Sequence, residues 1–375
     1  MRTWYGPRGR RAEAMFERRL YYHVDWALLG AILVISLIGL AQIYSATGGA
    51  TRIYYTQIYG IALGLIALLV ALSVDYRSLA DKSHLIYGGI LLLLLYVLFF
   101  GAVRGGSRRW IDFGPLNLQP SEFAKATLAL VLAKYFGDRQ RGAPQRSDLV
   151  IAGAITAVPV LIIGRQPDLG TALTLVPVLF AVAYVAGMPM RIFGILALVG
   201  VLLAPIAWKF ALQDYQKGRI STFLDPSQDA KGAGYQQIQA RITTGSGGLK
   251  GKGFMQGTQG QLRFLPVAHN DFIFSVLAEE RGFVGVLVTL GLYLFVILRS
   301  LDAARLAKDR LGAYLVLGVL ASFTFQVMYN ITMSAGLAPV KGLTLPLMSY
   351  GGSSMIATLV GFGLILNVRM RRFTN

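Results

Sequence analysis

Residues 25–44 read DWALLGAILVISLIGLAQIY, an acid followed by an apolar run with no further charge. About 20 such residues, rising 1.5 Å each, cross a hydrocarbon core, so the stretch reads as a membrane span. It is too long for the apolar core of a signal peptide and lacks a convincing small-residue cleavage site, so it is expected to stay as an anchor. Outward from it the pattern recurs. Ten spans are expected at roughly 25–45, 53–74, 84–101, 120–137, 148–164, 168–187, 191–211, 271–298, 311–336 and 346–368. The expected fold is all-α: a polytopic integral membrane protein of about ten transmembrane helices, with one long external loop between spans 7 and 8.

Composition agrees. The 375 residues are 55% hydrophobic and 14% charged, against about 25% charged in soluble domains. The net charge of +18 does not mark a nucleic-acid binder, because its arginines flank the apolar runs. Six fall in the first 24 residues, and others at Arg139, Arg141, Arg146, at Arg299, Arg305, Lys308, Arg310, and at Arg369, Arg371, Arg372. Topology and anionic membrane lipids account for this excess. An even number of spans puts both termini in the cytoplasm. Residues 1–24 then form a cytoplasmic segment, 25–368 a single membrane domain containing the external loop 212–270, and 369–375 a cytoplasmic tail. The short break at Arg165–Asp168 separates two spans rather than bending one, since the charge alternation requires it. With no cysteine and three scattered histidines (His23, His84, His269), thiolate chemistry and a His-based zinc site are excluded.

The loop 212–270 is long for a compact bundle, and loops of that length are functional or disordered. Its interleaved apolar residues (Tyr215, Phe223, Tyr235, Ile238, Phe254, Phe264) predict short helices and turns folded onto the bundle. GSGGLKGKGF is superficially similar to a phosphate-binding loop, but Gly253 follows Lys252 where Ser or Thr is needed, and no strand precedes it. Tight turns with positive φ are the expectation for these glycines.

The loop runs into an apolar helix through FLPVAHNDFIFSVLAEERG (264–282), placing Asp271 at the membrane surface. From spacing, Asp271 is either a catalytic acid or a helix cap, with Asn270 as the competing cap. Ser275 and Ala278 share its helical face, whereas Glu280 points away. Capping would lower its pKa, against work as a base. Elsewhere, Pro120 suits a first helical position and Glu122 a capping box. Lys125 lies three residues on, where it can pair with Glu122 or, with it, line a substrate cavity. Arg108 and Arg109 beside Trp110 suit a phosphate or plain interfacial anchoring. Asp168 fits a helix N-cap.

Together these segments closely resemble the SEDS family (shape, elongation, division and sporulation). The matching stretches are DWALL…GLAQIYSAT, GSRRWIDFGPLNLQPSEFAKATL, QPDLGTAL, FLDPSQDAKGAGYQQIQARITTGSGGLKGKGF, GTQGQLRFLPVAHNDFIFSVLAEERGFVG and LTLPLMSYGGSSMIATLVGFG. They span nearly the whole chain in family order, and SVLAEERG with Ala278 looks more like the elongation branch than the division branch. The resemblance implies a ten-span bacterial inner-membrane glycosyltransferase that polymerises lipid II into β-1,4-linked peptidoglycan during elongation and rod-shape maintenance. It implies work beside a class B penicillin-binding protein and other elongation-complex membrane proteins. It makes Asp271 the essential aspartate and Glu122, Lys125 and Asp168 functionally sensitive. Four positions depart from the family pattern. Asn270 stands for threonine, Val267 for glutamate and Ala240 for serine, while Lys341 occupies a position more often neutral.

One inversion at the anomeric carbon needs a base for the acceptor hydroxyl and positive charge for the departing diphosphate. Asp271 is the expected base. Arg108, Arg109, Lys125 and Lys341 are the expected charges. A divalent cation, Mg or Mn, is compatible with the chemistry, though no dedicated metal site is legible. The competing reading is a transporter (flippase) of a lipid-linked cell-wall precursor, and a third is an idle scaffold. The long external loop ending in Asp271 favours chemistry on the outer face, and the intact Asp271 argues against a scaffold.

Overall fold

The computed structural model describes residues 23–104, 107–114, 116–139, 144–210, 212–229, 232–262 and 264–373. The arginines of residues 1–22, Arg141 and the last two tail residues lie outside them. The chain order is α1 (Trp26–Ala46), α2 (Arg52–Ser73), α3 (Tyr76–Asp81), α4 (Ser83–Phe100), β1 (Ala102–Arg104), β2 (Ser107–Phe113), β3 (Leu116–Leu118), α5 (Pro120–Gly137), α6 (Arg146–Arg165), α7 (Leu169–Val185) and α8 (Met190–Phe210). The loop follows with α9 (Asp214–Leu224), α10 (Ala233–Ser246) and α11 (Thr258–Gln261), then α12 (Ile273–Arg305), α13 (Arg310–Ser334) and α14 (Gly352–Met370). Seven helices are long and apolar enough to cross a membrane, and Leu169–Val185 and Met190–Ile206 are shorter apolar helices. The remaining long helix, α5, carries Glu122, Lys125 and Lys134. Each expected span thus coincides with a helix, and α6 and α7 are separate.

The helical membrane fold is as expected, and β1, β2 and β3 add a small antiparallel sheet to it, with Ile111 opposite Leu118 and Asp112 opposite Asn117. One boundary needs correction. The tenth span begins at Gly352, because residues 335–351 form an irregular, largely buried strap instead of its first turns.

Helices α13 and α14 form the centre, α14 against α2 and α13 against α5 and α7. Buried Asn367 fastens α14 to the end of α2. Its Nδ2 donates to the carbonyls of Ala71, Leu72 and Val74, which the helix end leaves without partners. Apolar side chains exposed on α1, α2, α4, α6 and α8 suit lipid contact. The basic groups converge at one end of the bundle. There Asp25 caps α1 and takes Arg299 at 2.8 Å and Arg369 at 2.6 Å, Arg77 meets Asp309 at 2.9 Å, and Lys134 meets Asp81 at 2.7 Å.

The sheet, the loop and Asp271 occupy the opposite end. The glycine-rich turn is wedged into a break in α12 at Gly282, whose φ is 62°. Phe283 and Val284 donate to the carbonyls of Gly248 and Leu249, and Lys252 and Gly253 donate back to Glu279 and Glu280. A Cβ on Gly282 would overlap the Gly251 nitrogen. Glu279, fully buried, adds a clasp by accepting from Lys252 Nζ at 2.7 Å and from the Gln259 and Gly260 amides. Glu280 accepts from Ser45 and the Met255 amide. The glycines therefore serve tight turns, as expected.

Gly282→Ala adds a left-handed strain and a clash, each costing of order 1–3 kcal/mol. It is expected to lower the melting temperature and open residues 247–262 to limited proteolysis. An unchanged cleavage pattern would show that the wedge does not hold the loop.

Candidate active site

Asp271 does not cap α12. The N-cap is Phe272, with no side-chain cap, and Asn270 does not replace it, so both capping expectations are corrected. The amides of Asn270 and Asp271 instead turn back to the Val267 carbonyl, at 3.0 and 3.2 Å. Val267 itself adopts φ 52°, a strained value for a β-branched residue. The Asp271 carbonyl is held by Asn330 Nδ2 at 2.9 Å, which also holds the Leu343 carbonyl at 2.6 Å. One carboxylate oxygen, Oδ1, is buried with no hydrogen-bond partner. The other faces Gly342, where a Cβ would sit 3.6 Å away, and Gly342 has φ 66°, so glycine is required there on conformation. Burial pushes the Asp271 carboxyl up from 3.8 to about 6, against the opposing pull of Arg109 and Arg219. Ser275, on the face expected, accepts from Thr244 of α10 at 3.0 Å and ties the helix to the loop.

Beside this acid lies a cavity of about 140 Å³, whose lining includes Arg109, Gln119, Glu122, Asp168, Asn270 and Thr344. Asp168 caps α7 through the Thr171 amide, as its position predicted. It also accepts from Gln119 Nε2 at 2.7 Å and meets Arg109 at 3.5 Å. Arg108 is not brought to this cavity. It is exposed and donates to the Phe99 carbonyl, because neighbouring strand residues point to opposite faces.

Glu122 does not form a capping box, since the cap of α5 is Gln119 with no side-chain bond. Its carboxylate meets Lys125 at 2.7 Å, and Lys125 donates onward to Gln326 Oε1 at 2.8 Å. Gln326 holds Thr344 through its backbone at 3.0 Å, and Thr344 meets Ser354 at 3.2 Å. Glu122 thus lines this cavity, and it and Lys125 both line a second, smaller one of about 30 Å³ beside Gln326. Lys341 lies 6.0 Å above the Tyr329 ring, its pKa lowered by burial and by Arg219.

Sequence reasoning missed Gln119, Arg219, Gln326 and Asn330. Only folding brings them to the site, and none carries a local motif. Among the described residues no three His, Asp or Glu side chains cluster for a metal.

Fold and site define a polytopic helical membrane protein with a partly buried acid near a cation at one face. The Cell cycle protein family that takes in FtsW, RodA and SpoVE matches residues 18–373, and the chain belongs to it, in its RodA branch. It is 37% identical to peptidoglycan glycosyltransferase MrdB of Escherichia coli K12 over 93% of this chain and 94% of that one. It is 32% identical to peptidoglycan glycosyltransferase RodA of Treponema pallidum over 93% and 98%. A chain solved in work on polymerisation and crosslinking by a peptidoglycan synthase complex superposes with TM-score 0.83 at 35% identity, covering 94% and 99%. The rod shape determining protein RodA of Thermus thermophilus gives 0.71 at 32%, covering 94% and 98%.

Lys125→Met leaves the buried Glu122 charge alone and is expected to cost about 3–5 kcal/mol. Adding Glu122→Gln should recover most of the lost melting temperature, and no recovery would rule out a coupled pair. For Asp271 the sign is opposite to that of a stabilising carboxylate. A raised folded pKa leaves a penalty that is full above about pH 6 and absent below the ordinary 3.8. Asp271→Asn is therefore expected to raise the melting temperature at pH 7.5, with the gain fading as pH falls towards 4.

Proposed function

We propose that Asp271 is the general base with which this membrane peptidoglycan glycosyltransferase joins lipid-linked disaccharides at the outer face of the bacterial cytoplasmic membrane. The observation that carries the reading is the unpaired, buried Oδ1 of an acid whose proton affinity is raised, beside a polar cavity that Arg109 lines. An ordinary carboxylate is a weak base at neutral pH, and one near 6 is better matched to accept a proton and still be ionised.

In the step, Asp271 takes the proton of the acceptor's 4-hydroxyl as that oxygen attacks the anomeric carbon of the donor. The new carbon–oxygen bond forms with inversion, and the bond to the diphosphate breaks with its electron pair on the departing oxygen. Arg109 stands closest in kind to this duty, half-exposed at the cavity and oriented by Asp168. Glu122 and Asp168 shape the same wall, and Lys125 acts by fixing Glu122.

Transport is supported less well. The polar cavity lies at the loop end, while ion pairs around Asp25 occupy the other end. The relatives named glycosyltransferases and the neighbour from a synthase complex support chemistry, and work beside a class B penicillin-binding protein of the elongation machinery fits that company. The loop end then faces outwards and both termini face the cytoplasm, in keeping with the arginines.

Asp271→Asn is expected to abolish glycan synthesis from lipid II by purified protein, with and without the transpeptidase, while insertion and a cooperative melting transition, shifted upwards at neutral pH, are retained. In wild type, kcat/KM should rise with pH through a midpoint near 6 and level off above it. Retained synthesis in Asp271→Asn, or a profile flat from pH 5 to 8, would sink the assignment.

A further inference from the structure

Gln326, Tyr329 and Asn330 of α13 all hold the irregular strap, and Asn330 alone of the three also holds the acid. Gln326 donates to the Thr344 carbonyl at 3.0 Å and the Tyr329 hydroxyl to the Pro339 carbonyl at 2.9 Å, both within the strap. Asn330 Nδ2 donates to the Leu343 carbonyl of the strap at 2.6 Å and to the Asp271 carbonyl at 2.9 Å. Both partners are carbonyl oxygens, which only the nitrogen of the amide can serve, and its two protons are both spent on them. The side chain is fully buried, and its own Oδ1 has no partner. An apolar residue would therefore be the more stable occupant if the two carbonyls were free to part. The residue before Leu343 is Gly342, where a Cβ would stand 3.6 Å from Asp271 Oδ2. Holding the Leu343 carbonyl thus holds the strap against the carboxylate. One amide sets both where the backbone of the acid lies and what faces its side chain.

We propose that Asn330 is a positioning residue for the reaction: by tying Asp271 and Leu343 to one nitrogen, it fixes the carboxylate against the strap and keeps water from entering between them. This rests on the reading of Asp271 as the base. Without the amide, two buried carbonyl oxygens converge with their negative ends together. They part or take up water, and either change releases Gly342 from the carboxylate. A carboxylate that gains water ionises more readily, so its proton affinity falls towards that of an ordinary acid. It is then a weaker base, and it is also less well aimed at the acceptor hydroxyl. Both effects act on kcat more than on KM.

The test uses the full chain in proteoliposomes with lipid II. Asn330→Ala is expected to lower kcat about a hundredfold, the scale of a misplacement of roughly 1 Å, with KM changed less than about threefold. The acid limb of kcat/KM, near pH 6 in wild type, should move down towards 3.8. Tyr329→Phe loses the neighbouring strap bond without touching the acid, so it should lower the melting temperature and leave that limb in place. A second measurement does not depend on Asp271 being the base. The gain in melting temperature from Asp271→Asn at pH 7.5 should shrink in the Asn330→Ala background, where the acid is already hydrated, and persist in the Tyr329→Phe background. If Asn330→Ala does not fold, Asn330→Ser, which keeps one donor, should show both changes in the same directions and smaller. An acid limb and a melting gain both unchanged by Asn330→Ala would overturn the proposal. Equal shifts in Tyr329→Phe would overturn it too, since any loosening of the strap would then suffice. A shrunken melting gain with an unmoved acid limb would uphold the grip of Asn330 on the acid and overturn the reading of Asp271 as base.

Discussion

The structure turns on one constraint, that irregular backbone at membrane depth must find every hydrogen bond inside the protein. The strap 335–351 meets it with side chains from three helices. Gln57 of α2 takes the Ser349 carbonyl and returns an acceptor to the Gly351 amide. Tyr293 of α12 donates to Pro346 at 2.7 Å. From α13, Gln326 holds Thr344, Tyr329 holds Pro339 and Asn330 holds Leu343. A helix would have satisfied these groups by itself, so the strap's form depends on distant partners. What the irregular path provides is position. It runs Lys341, Gly342 and Thr344 past the acid and along the cavity wall.

The same partners explain how a charged pair can sit deep in α5. Lys125 and Glu122 are both nearly fully buried, and an isolated charge there would be strongly unfavourable. Gln326 shares the cost by accepting from Lys125 with its oxygen while its amide serves the strap. The intramembrane pair is thus tied by hydrogen bonds through Gln326 to the strap at Thr344, and the strap is tied through Asn330 to the backbone of the loop-end acid. The pair's importance therefore does not require contact between Lys125 and a substrate.

Much of this was legible in the sequence, and the limit is physical. Apolar runs of span length announce themselves, and the alternation of arginine groups separated α6 from α7 although only a few residues lie between them. The glycine-rich turn was readable because positive φ has a residue signature. Residues 346–351, PLMSYG, read as the beginning of a span because they continue an apolar run. Burial inside protein and burial in lipid leave the same composition, and the strap's side-chain partners lie tens to hundreds of residues away. The β-sheet was hidden for a related reason, as its strands are short and two are only three residues long. Gln326 and Asn330 matter through contacts with distant segments, which periodicity does not record.

A one-residue offset then decides the chemistry. Had Asp271 been the N-cap of α12, helix amides would have satisfied its carboxylate and lowered its proton affinity, as caps do. The helix instead starts after Phe272, an apolar residue that is fully buried. Asn330 fixes the Asp271 backbone by its carbonyl, leaving the side chain free of that duty. The strained turn at Val267 takes up the amides of residues 270 and 271, so they cannot fold back onto the acid. A carboxylate at the mouth of a helix is thereby kept buried and half unpaired. The fold accepts a less stable acid here, and that instability is what suits it to the proposed role of base.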